Sequence, residues 1–349
     1  MHMTDKNNNQ HNTKKQPSFM KGFCDAMAMY FPDMGKGDIA VGVSGGADSM
    51  ALCFAMSEYF KDSAAVTIHA LSVDHGLRAQ SLGEAQHVAA QLKPLPNVEH
   101  HILTWAHETK PNARIQEKAR VARYDLMKNY MRAHNITMLF LGHHMDDQAE
   151  TFLFRLAKGS GVDGLSCMSV VQKMENDFTL CRPMLGLNKE NMIAFCEEQG
   201  VDFINDPSND CDDYARVRLR KSRDILAEEG LSAKRLSVAA KRFSRARKAL
   251  DLIANDAFSG CLSVNKSGRI VFRVSEVVSY PEEIVLRVIL KAIAHLQDDT
   301  GYGTRLERVE NLCADLMKPD NFRKRTLGGI IFECRNKDDQ LILSLENLS

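Results

Sequence analysis

The sequence is short of several things that would each have assigned it to a class. Its nine cysteines are an odd number and form no C-x-x-C pair, which argues for free thiols in a reducing compartment. Cys167, Cys181, Cys196 and Cys211 recur at intervals that match no metal-binding pattern. No apolar run approaches the roughly 20 residues that span a bilayer, so a membrane protein is not expected. The first residues, Met1 to Ser18, are rich in Asn, Gln and Lys and have no apolar stretch, so they are no secretory signal; the location expected is the cytoplasm. Net charge is also missing, with 45 Lys and Arg against 45 Asp and Glu. That balance is uneven along the chain. From Tyr214 to Lys248 twelve basic residues face three acidic ones, a directed positive face that suits a polyanion bound at one place.

Two common glycine motifs are absent as well. No Lys follows the glycines at 45 and 46, which excludes a Walker A loop, and Gly42 is followed two places on by Ser44, which excludes the dinucleotide fingerprint. What stands there is Ile39-Ala40-Val41-Gly42-Val43-Ser44-Gly45-Gly46-Ala47-Asp48-Ser49-Met50, a short apolar strand, a glycine turn and the start of an apolar helix. Free amides at such a helix start form an anion site. Ser44 and Ser49 add hydroxyls. The Asp48 carboxylate, out of place beside phosphate, points to a divalent cation or a cationic or hydroxyl group of the ligand. The Ser-Gly-Gly-x-Asp-Ser turn resembles the PP-loop of the ATP pyrophosphatases, which split ATP between its α and β phosphates and pass AMP to an oxygen of the substrate.

A chain of 349 residues is expected to divide into domains. Strands and helices alternate over the first two hundred residues: helix from about Ala47 to Phe60, strand Val66 to Val73, helix Ser81 to Leu92, strand Val98 to Leu103, helix Arg114 to Ala133, strand Thr137 to Leu141, helix Asp146 to Ala157. A fifth strand is expected within Phe178 to Met184, then a helix capped by Asn188 and running to about Gln199. Alternation of this kind predicts an α/β fold, a parallel sheet with helices on both faces, whose ligands bind outside the carboxyl ends of the strands. Three polar clusters fall there: Ser44 to Ser49, Asp74 to Arg78, and Gly142 to Asp147. Beyond Lys221 the pattern becomes helical. Ser232 to Ala257 reads as one amphipathic helix with Leu236, Phe243 and Leu250 on its apolar side, Ala239 and Ile253 alongside, and Lys241, Arg245 and Lys248 on another face. Helices Glu282 to Leu296 and Leu306 to Leu316 follow, then two strands in Gly328 to Leu345 about the polar turn Asn336 to Asp339. The domains expected are a disordered polar tail (1–22), a catalytic domain (23–220), a basic linker helix (221–260) and a smaller, mostly helical terminal domain ending in a β-hairpin (261–349).

In His143-His144-Met145-Asp146-Asp147-Gln148-Ala149-Glu150-Thr151 one aspartate can cap the helix. Asp147, Glu150, Thr151 and Phe154 share a helical face, and two carboxylates there repel unless a cation lies between them. A zinc or di-metal site is one reading, although consecutive histidines seldom converge; a bound amine, or magnesium carried in with ATP, is the other. Arg78 is a fork for phosphate or carboxylate.

In order along the chain stand Ser44 to Ser49, Asp74-His75-Gly76-Leu77-Arg78, Ala119-Arg120-x-x-Arg123-Tyr124, Gly142-His143-His144-x-Asp146-Asp147-Gln148-x-Glu150-Thr151, Lys158-Gly159-Ser160-Gly161-x-x-Gly164-Leu165, Arg182-Pro183 and Asp206-Pro207-Ser208-Asn209. Together they resemble the bacterial tRNA(Ile)-lysidine synthetases, densely over residues 35 to 225 and more loosely at Thr326-Leu327-Gly328-Gly329. Val217 and Leu219 depart from the Arg-Asn-Arg-Ile-Arg run usual in the family, while Arg216, Arg218 and Arg220 are retained.

The resemblance implies a ligase that adenylates C2 of cytidine 34 in the CAU anticodon of tRNA(Ile). The ε-amine of free lysine then displaces AMP. By that resemblance Ser44, Gly45, Gly46, Ala47, Asp48 and Ser49 hold ATP, with Asp48 near Mg2+. Asp147 and Glu150 bind the lysine amines and accept a proton, with Arg78 also on the substrate side. His143 serves adenylation, and Arg123 orients the cytidine or stabilises charge. Arg216, Arg218, Arg220, Lys241, Arg245 and Lys248 meet tRNA phosphates. A PP-loop thiolase and an RNA-binding protein with a dead ATP domain are the rival readings. The first lacks cysteine pairs beside the motifs, and the second is at odds with the intact acidic residues. Oligomeric state is open, a homodimer being one option, and the end of the chain soon after one hairpin implies that the extra terminal domain of longer relatives is lacking.

Overall fold

A computed structural model describes residues 19–34, 36–76, 81–106, 115–174, 178–204, 219, 222–266, 269–297 and 305–346. The chain divides into two compact units, with the boundary between Arg242 and Phe243.

The first unit is built on a six-stranded sheet. Its strands are β1 (Ile39–Gly42), β2 (Ile68–Asp74), β3 (Val98–Thr104), β4 (Met138–Phe140), β5 (Val171–Lys173) and β6 (Thr179–Cys181), in the spatial order β3-β2-β1-β4-β6-β5. All pairings are parallel except β5 with β6. That exposed antiparallel edge strand, three residues long, is missing from the sequence reading because Val171-Gln172-Lys173 carries no run of apolar residues to announce it. All four residues of β1 are buried, as expected of a central strand covered on both faces.

Helices α1 (Phe19–Tyr30), α2 (Ala47–Tyr59), α3 (Ser81–Leu92), α4 (Ile115–Ala133), α5 (Met145–Leu156), α6 (Val162–Leu165) and α7 (Lys189–Glu198) connect and cover the sheet. Phe23, Met27, Met50, Met56, Val88, Leu92, Met192 and Phe195, from α1, α2, α3 and α7, share one core with β1. Met127 and Met131 of α4 join Ala40, Leu71, Leu139 and Leu180 in a separate one. Helix α2 is buried almost all round, so its pattern has no polar face.

Three expectations are corrected here. Helix α1 starts at Phe19, inside the stretch 1–22 read as a disordered tail: Phe19, Phe23 and Met27 recur at helical spacing and are buried, which outweighs the polar composition before them. Asn188 does stand at the N-cap of α7, but its side chain makes no capping bond. The fifth strand is only Thr179–Cys181, because Pro183 lacks the amide that would extend a ladder.

Two helices follow, α8 (Arg223–Glu228) and α9 (Ala233–Cys261), and the unit boundary falls inside α9. Along α9 the fully buried positions include Ala240, Ala254, Ala257 and Cys261, whereas Ile253 is exposed, contrary to its expected place on the apolar side. Small residues take the closest contacts and leave the isoleucine outside.

The second unit holds a five-stranded antiparallel sheet, ordered β7-β8-β11-β10-β9. Its strands are β7 (Leu262–Lys266), β8 (Arg269–Arg273), β9 (Arg325–Leu327), β10 (Ile330–Arg335) and β11 (Gln340–Leu345). The short α10 (Val274–Val277), α11 (Glu282–Leu296) and α12 (Leu306–Leu316) complete it. The expected terminal hairpin is β10–β11, and it is the inner part of a wider sheet. Ile270, Phe272, Val285, Ile289, Val309, Leu312, Phe332, Leu341 and Leu343 form its core. Among the described residues no helix is long and apolar enough to cross a membrane.

Candidate active site

Strand order reverses at β1, which pairs with β2 on one side and β4 on the other. A crevice therefore opens at the carboxyl ends of β1 and β4, where open α/β sheets bind ligands. The turn leaving β1 lines it. Gly45 takes φ +86° and its carbonyl accepts the Ile204 amide at 2.9 Å; a Cβ there would lie 2.9 Å from Ile204 Cδ1 and 3.0 Å from Val88 Cγ2. The N-cap of α2 is Gly46, which brings no side chain to its free amides. Ser49 Oγ accepts the Ser44 amide at 3.0 Å and donates to the Gly46 carbonyl at 3.0 Å, with Ser44 Oγ at 3.2 Å. The serines thus tie the turn across its base and leave the first amides of α2 facing the crevice. An anion is the ligand this suits.

Gly142, just beyond β4, packs against the same helix start. A Cβ at Gly142 would lie 2.7 Å from the Asp48 carbonyl oxygen and 3.1 Å from the Ser49 nitrogen, so only glycine lets β4 deliver its loop this close. His144 then caps α5: its Nδ1 accepts the Asp146 amide at 3.2 Å, while Asp147 Oδ2 accepts the His144 amide at 3.0 Å. The capping aspartate the sequence pointed to is Asp147, with His144 at the N-cap position.

The same histidine is the electrostatic centre of the site. Its Nε2 lies 3.5 Å from Asp48 Oδ2 and 3.5 Å from Asp147 Oδ2, and its Nδ1 lies 3.5 Å from Asp146 Oδ2. Burial opposes its charge, but Asp146 and Asp48, with Asp147, outweigh burial and push the imidazole pKa up to about 9. A neutral ring could keep the bond from the Asp146 amide, whereas an imidazolium has no acceptor. With three carboxylates beside it the charged ring prevails at neutral pH, and the bond from the His144 amide to Asp147 Oδ2 then carries the cap. Asp48 and Asp146 are both held below the usual carboxylate range: burial raises each, yet His144 overcomes it, aided by Lys189 at Asp48 and by Arg223 at Asp146. Lys189 Nζ is 3.7 Å from Asp48, and an Arg223 nitrogen 3.3 Å from Asp146.

A cavity of about 410 Å³ occupies the crevice, and Ser44, Asp48, Ser49, Arg123, His143 and Asp147 all line it. Gly45, Gly46 and Ala47 form the turn behind. Arg123, from α4, reaches the His75 Nε2 at 3.3 Å; burial and that guanidinium hold the His75 imidazole below its usual value, so the ring accepts. Glu150 is not in this cavity. It lines a smaller one of about 80 Å³ on the other side of His144 and Asp146, with Leu153, Lys189, Arg223 and Leu226. Asp147 and Glu150, three residues apart on α5, line different cavities, and the cation beside Asp147 is His144. The consecutive histidines also part, His143 to the cavity and His144 into the interior.

Lys241, Arg245 and Lys248 are exposed on α9. Arg78, Arg216, Arg218 and Arg220 lie outside the described residues. Sequence reasoning passed over His144, Lys189 and Arg223. Lys189 carried a signal: a lysine in the first turn of a helix opposes the helix dipole and calls for a carboxylate nearby. Asp48 supplies it.

The PP-loop domain family matches residues 18–226. A tRNA(Ile)-lysidine synthase of Methylobacterium sp. (strain 4-46) is 36% identical over 302 residues, 85% of this chain and 86% of that protein. One from Wolbachia pipientis wMel is 36% identical over 292 residues, 83% of this chain and 67% of that protein. Among solved structures, the U34-tRNA thiolase NcsA from Methanococcus maripaludis with its [4Fe-4S] cluster superposes with a TM-score of 0.54 at 16% identity, over 65% of this chain and 78% of that one; at that identity the likeness is one of fold. With the turn, the Gly-His-His block and the crevice they share already in place, these matches mean that the chain belongs to the tRNA(Ile)-lysidine synthase family of PP-loop enzymes.

Proposed function

We propose that the chain makes lysidine in two steps at the crevice between β1 and β4, using ATP, free lysine and the CAU anticodon of tRNA(Ile). The observation that carries this reading is the joining of the phosphate-binding turn, Asp48, Arg123, His143 and Asp147 in one cavity.

The triphosphate is held by the amides that open α2 and by the Ser44 hydroxyl, in a turn that Ser49 braces through Gly46 and the Ser44 amide. Asp48 Oδ1 is buried with no hydrogen-bond partner, a donor atom that fits a hard cation. Magnesium bound with ATP would be held there and would offset phosphate charge. In the first step the C2 oxygen of cytidine 34 bonds to the α-phosphorus and the bond to pyrophosphate breaks; Arg123 and His143 face the cavity where charge develops. Adenylation turns a poor leaving oxygen into a good one. In the second step the lysine ε-nitrogen bonds to C2 and the C2–oxygen bond breaks, releasing AMP.

Free lysine is uncharged in only about one molecule in a few thousand at neutral pH, so a carboxylate must take its proton. Asp147 and Glu150 are the candidates, one in each cavity. The smaller cavity suits the lysine itself: leucines for its methylenes, Arg223 and Lys189 for its carboxylate, and Glu150 with Asp146 for an amine. No cysteine lines the larger cavity among the described residues, which favours this chemistry over thiolation. Exposed Lys241, Arg245 and Lys248 would meet tRNA phosphates, which position without specifying, and Arg216, Arg218 and Arg220 are assigned the same role.

The test is tRNA, ATP and labelled lysine, scored for label in RNA and AMP released. Asp147→Asn and Glu150→Gln should bind ATP normally and make little lysidine; modification by both variants at the wild-type rate would remove these assignments.

A further inference from the structure

At the opposite edge of the same sheet lies a cluster that the reaction does not use. His69 near the start of β2 and Glu99 on β3 are register partners. His101, two residues on, projects to the same face as Glu99, while the intervening His100 turns to the other and meets Ser72 Oγ at 2.8 Å. His69, Glu99 and His101 each bring one ligand atom to within 4.8 Å of the others. Asp38, leading into β1, adds a fourth oxygen, 3.5 Å from His69 Nε2.

Two further observations point to a ligand. The His69 side chain is 7% exposed, and its Nε2 is buried with no hydrogen-bond partner; the same holds for the Nε2 atom of His101. The other nitrogen of His69 is engaged, 2.9 Å from the Tyr130 hydroxyl. When Nδ1 donates to that oxygen, the lone pair sits on Nε2 and points at the Asp38 and Glu99 carboxylates. In that tautomer a lone pair and carboxylates face one another, an arrangement that a cation among them relieves. A hydrogen bond that fixes the distal nitrogen is also how metal-bound histidines are usually oriented.

We propose that His69, His101, Glu99 and Asp38 form a binding site for one divalent first-row transition metal ion, of which zinc is the type. Two imidazoles with two carboxylates select such an ion over magnesium or calcium, which take oxygen ligands alone. A tetrahedral site with bonds of about 2.0–2.1 Å sets its ligand atoms about 3.3 Å apart. The pair His69–Asp38 at 3.5 Å and the pair His101–Glu99 at 3.7 Å are already close to that; Glu99, whose side chain is 61% exposed, is free to swing in and close the remainder. The site lies at the amino ends of β2 and β3, roughly 17 Å along the strand from the crevice by the rise of an extended chain. Its role is to clip the entry to β1 onto β2 and β3, away from the chemistry.

The experiment uses the full-length, tag-free chain stripped by chelation and titrated with Co2+, read by its visible d–d absorption, with Zn2+ as competitor. One cobalt per chain is expected, with the intense bands of a four-coordinate site, displaced by zinc. His101→Gln and Glu99→Gln, both at partly exposed side chains, should each weaken binding at least tenfold. Asp48→Asn should leave it unchanged. Three results overturn the proposal: no stoichiometric cobalt spectrum; equal affinity in wild type and His101→Gln; or loss of the spectrum in Asp48→Asn, which would put the ion in the crevice. The first would leave His69 and Asp38 as an ordinary polar pair at 3.5 Å.

Discussion

His144 makes the site testable through stability. An imidazole whose pKa rises from 6.5 to about 9 on folding contributes roughly 3 kcal/mol. The sign follows from the direction: for a raised pKa the contribution is complete below pH 6.5 and is lost as pH climbs through 9. On the acid side the same cluster is lost when Asp48 and Asp146, held low, are protonated. The wild-type protein should therefore be most stable between about pH 4 and 6.5, as far as this cluster decides it. His144→Gln removes the titrating group and leaves three carboxylates near one another, a change expected to cost about 3–5 kcal/mol at pH 6.5. The assay is urea unfolding of both proteins from pH 6 to 10. Buried thiols such as Cys53, Cys181 and Cys313, each pushed up to about 12 by burial, also take stability away above pH 8.5, but equally in both proteins. The informative quantity is the difference between them, which should shrink by about 3 kcal/mol from pH 6.5 to 10. A difference that stays constant over that range would show that His144 is neutral, and would end its role as counter-ion to Asp48, Asp146 and Asp147.

Other consequences follow from the same geometry. Gly142→Ala should disable ATP binding, by tenfold or more in equilibrium titration, because its Cβ would meet backbone at 2.7 Å and backbone cannot rotate away. Asp48→Asn should weaken ATP binding markedly with magnesium present and little without it; equal losses under both conditions would contradict a cation at Oδ1. Reversing Lys241, Arg245 and Lys248 to glutamate should flatten the salt dependence of tRNA affinity, since each lost phosphate contact removes close to one unit from the log–log slope, while ATP-only reactions stay as they were.

Much of the first unit was legible because its signals were local. The run Ile39 to Val43 could only be a buried strand, and Gly45-Gly46 beside two serines fixed the kind of ligand. Three polar clusters after three strands gave the edge at which they meet. What escaped was non-local. Lys189 and Arg223 are separated from Asp48 and Asp146 by more than seventy residues, and nothing at those positions names the partner. The two cavities were also out of reach: helical periodicity tells that Asp147 and Glu150 lie close along one helix, and not that they line different cavities. In the second unit β7 and β8 were invisible because one stretch, Leu262 to Lys266, is mainly polar, and the hairpin beside them could be read without showing what it pairs with.

The place of β11 has a consequence for how that second unit comes to be folded. It is the latest strand in chain order among the described residues, yet it lies between β8 and β10 and pairs with both. Until residues 340–345 are available, β8 and β10 present two open edges with nothing to join them. Closing the sheet requires a contact across some seventy residues, from Phe272 to Leu341, so its assembly is slow by the measure of contact order and vulnerable while it waits. A nascent chain cut short at Asp339 would keep every helix of this unit and still have only two separate strand pairs, β7–β8 and β9–β10. Quality control could therefore judge the whole unit by whether one six-residue strand has arrived.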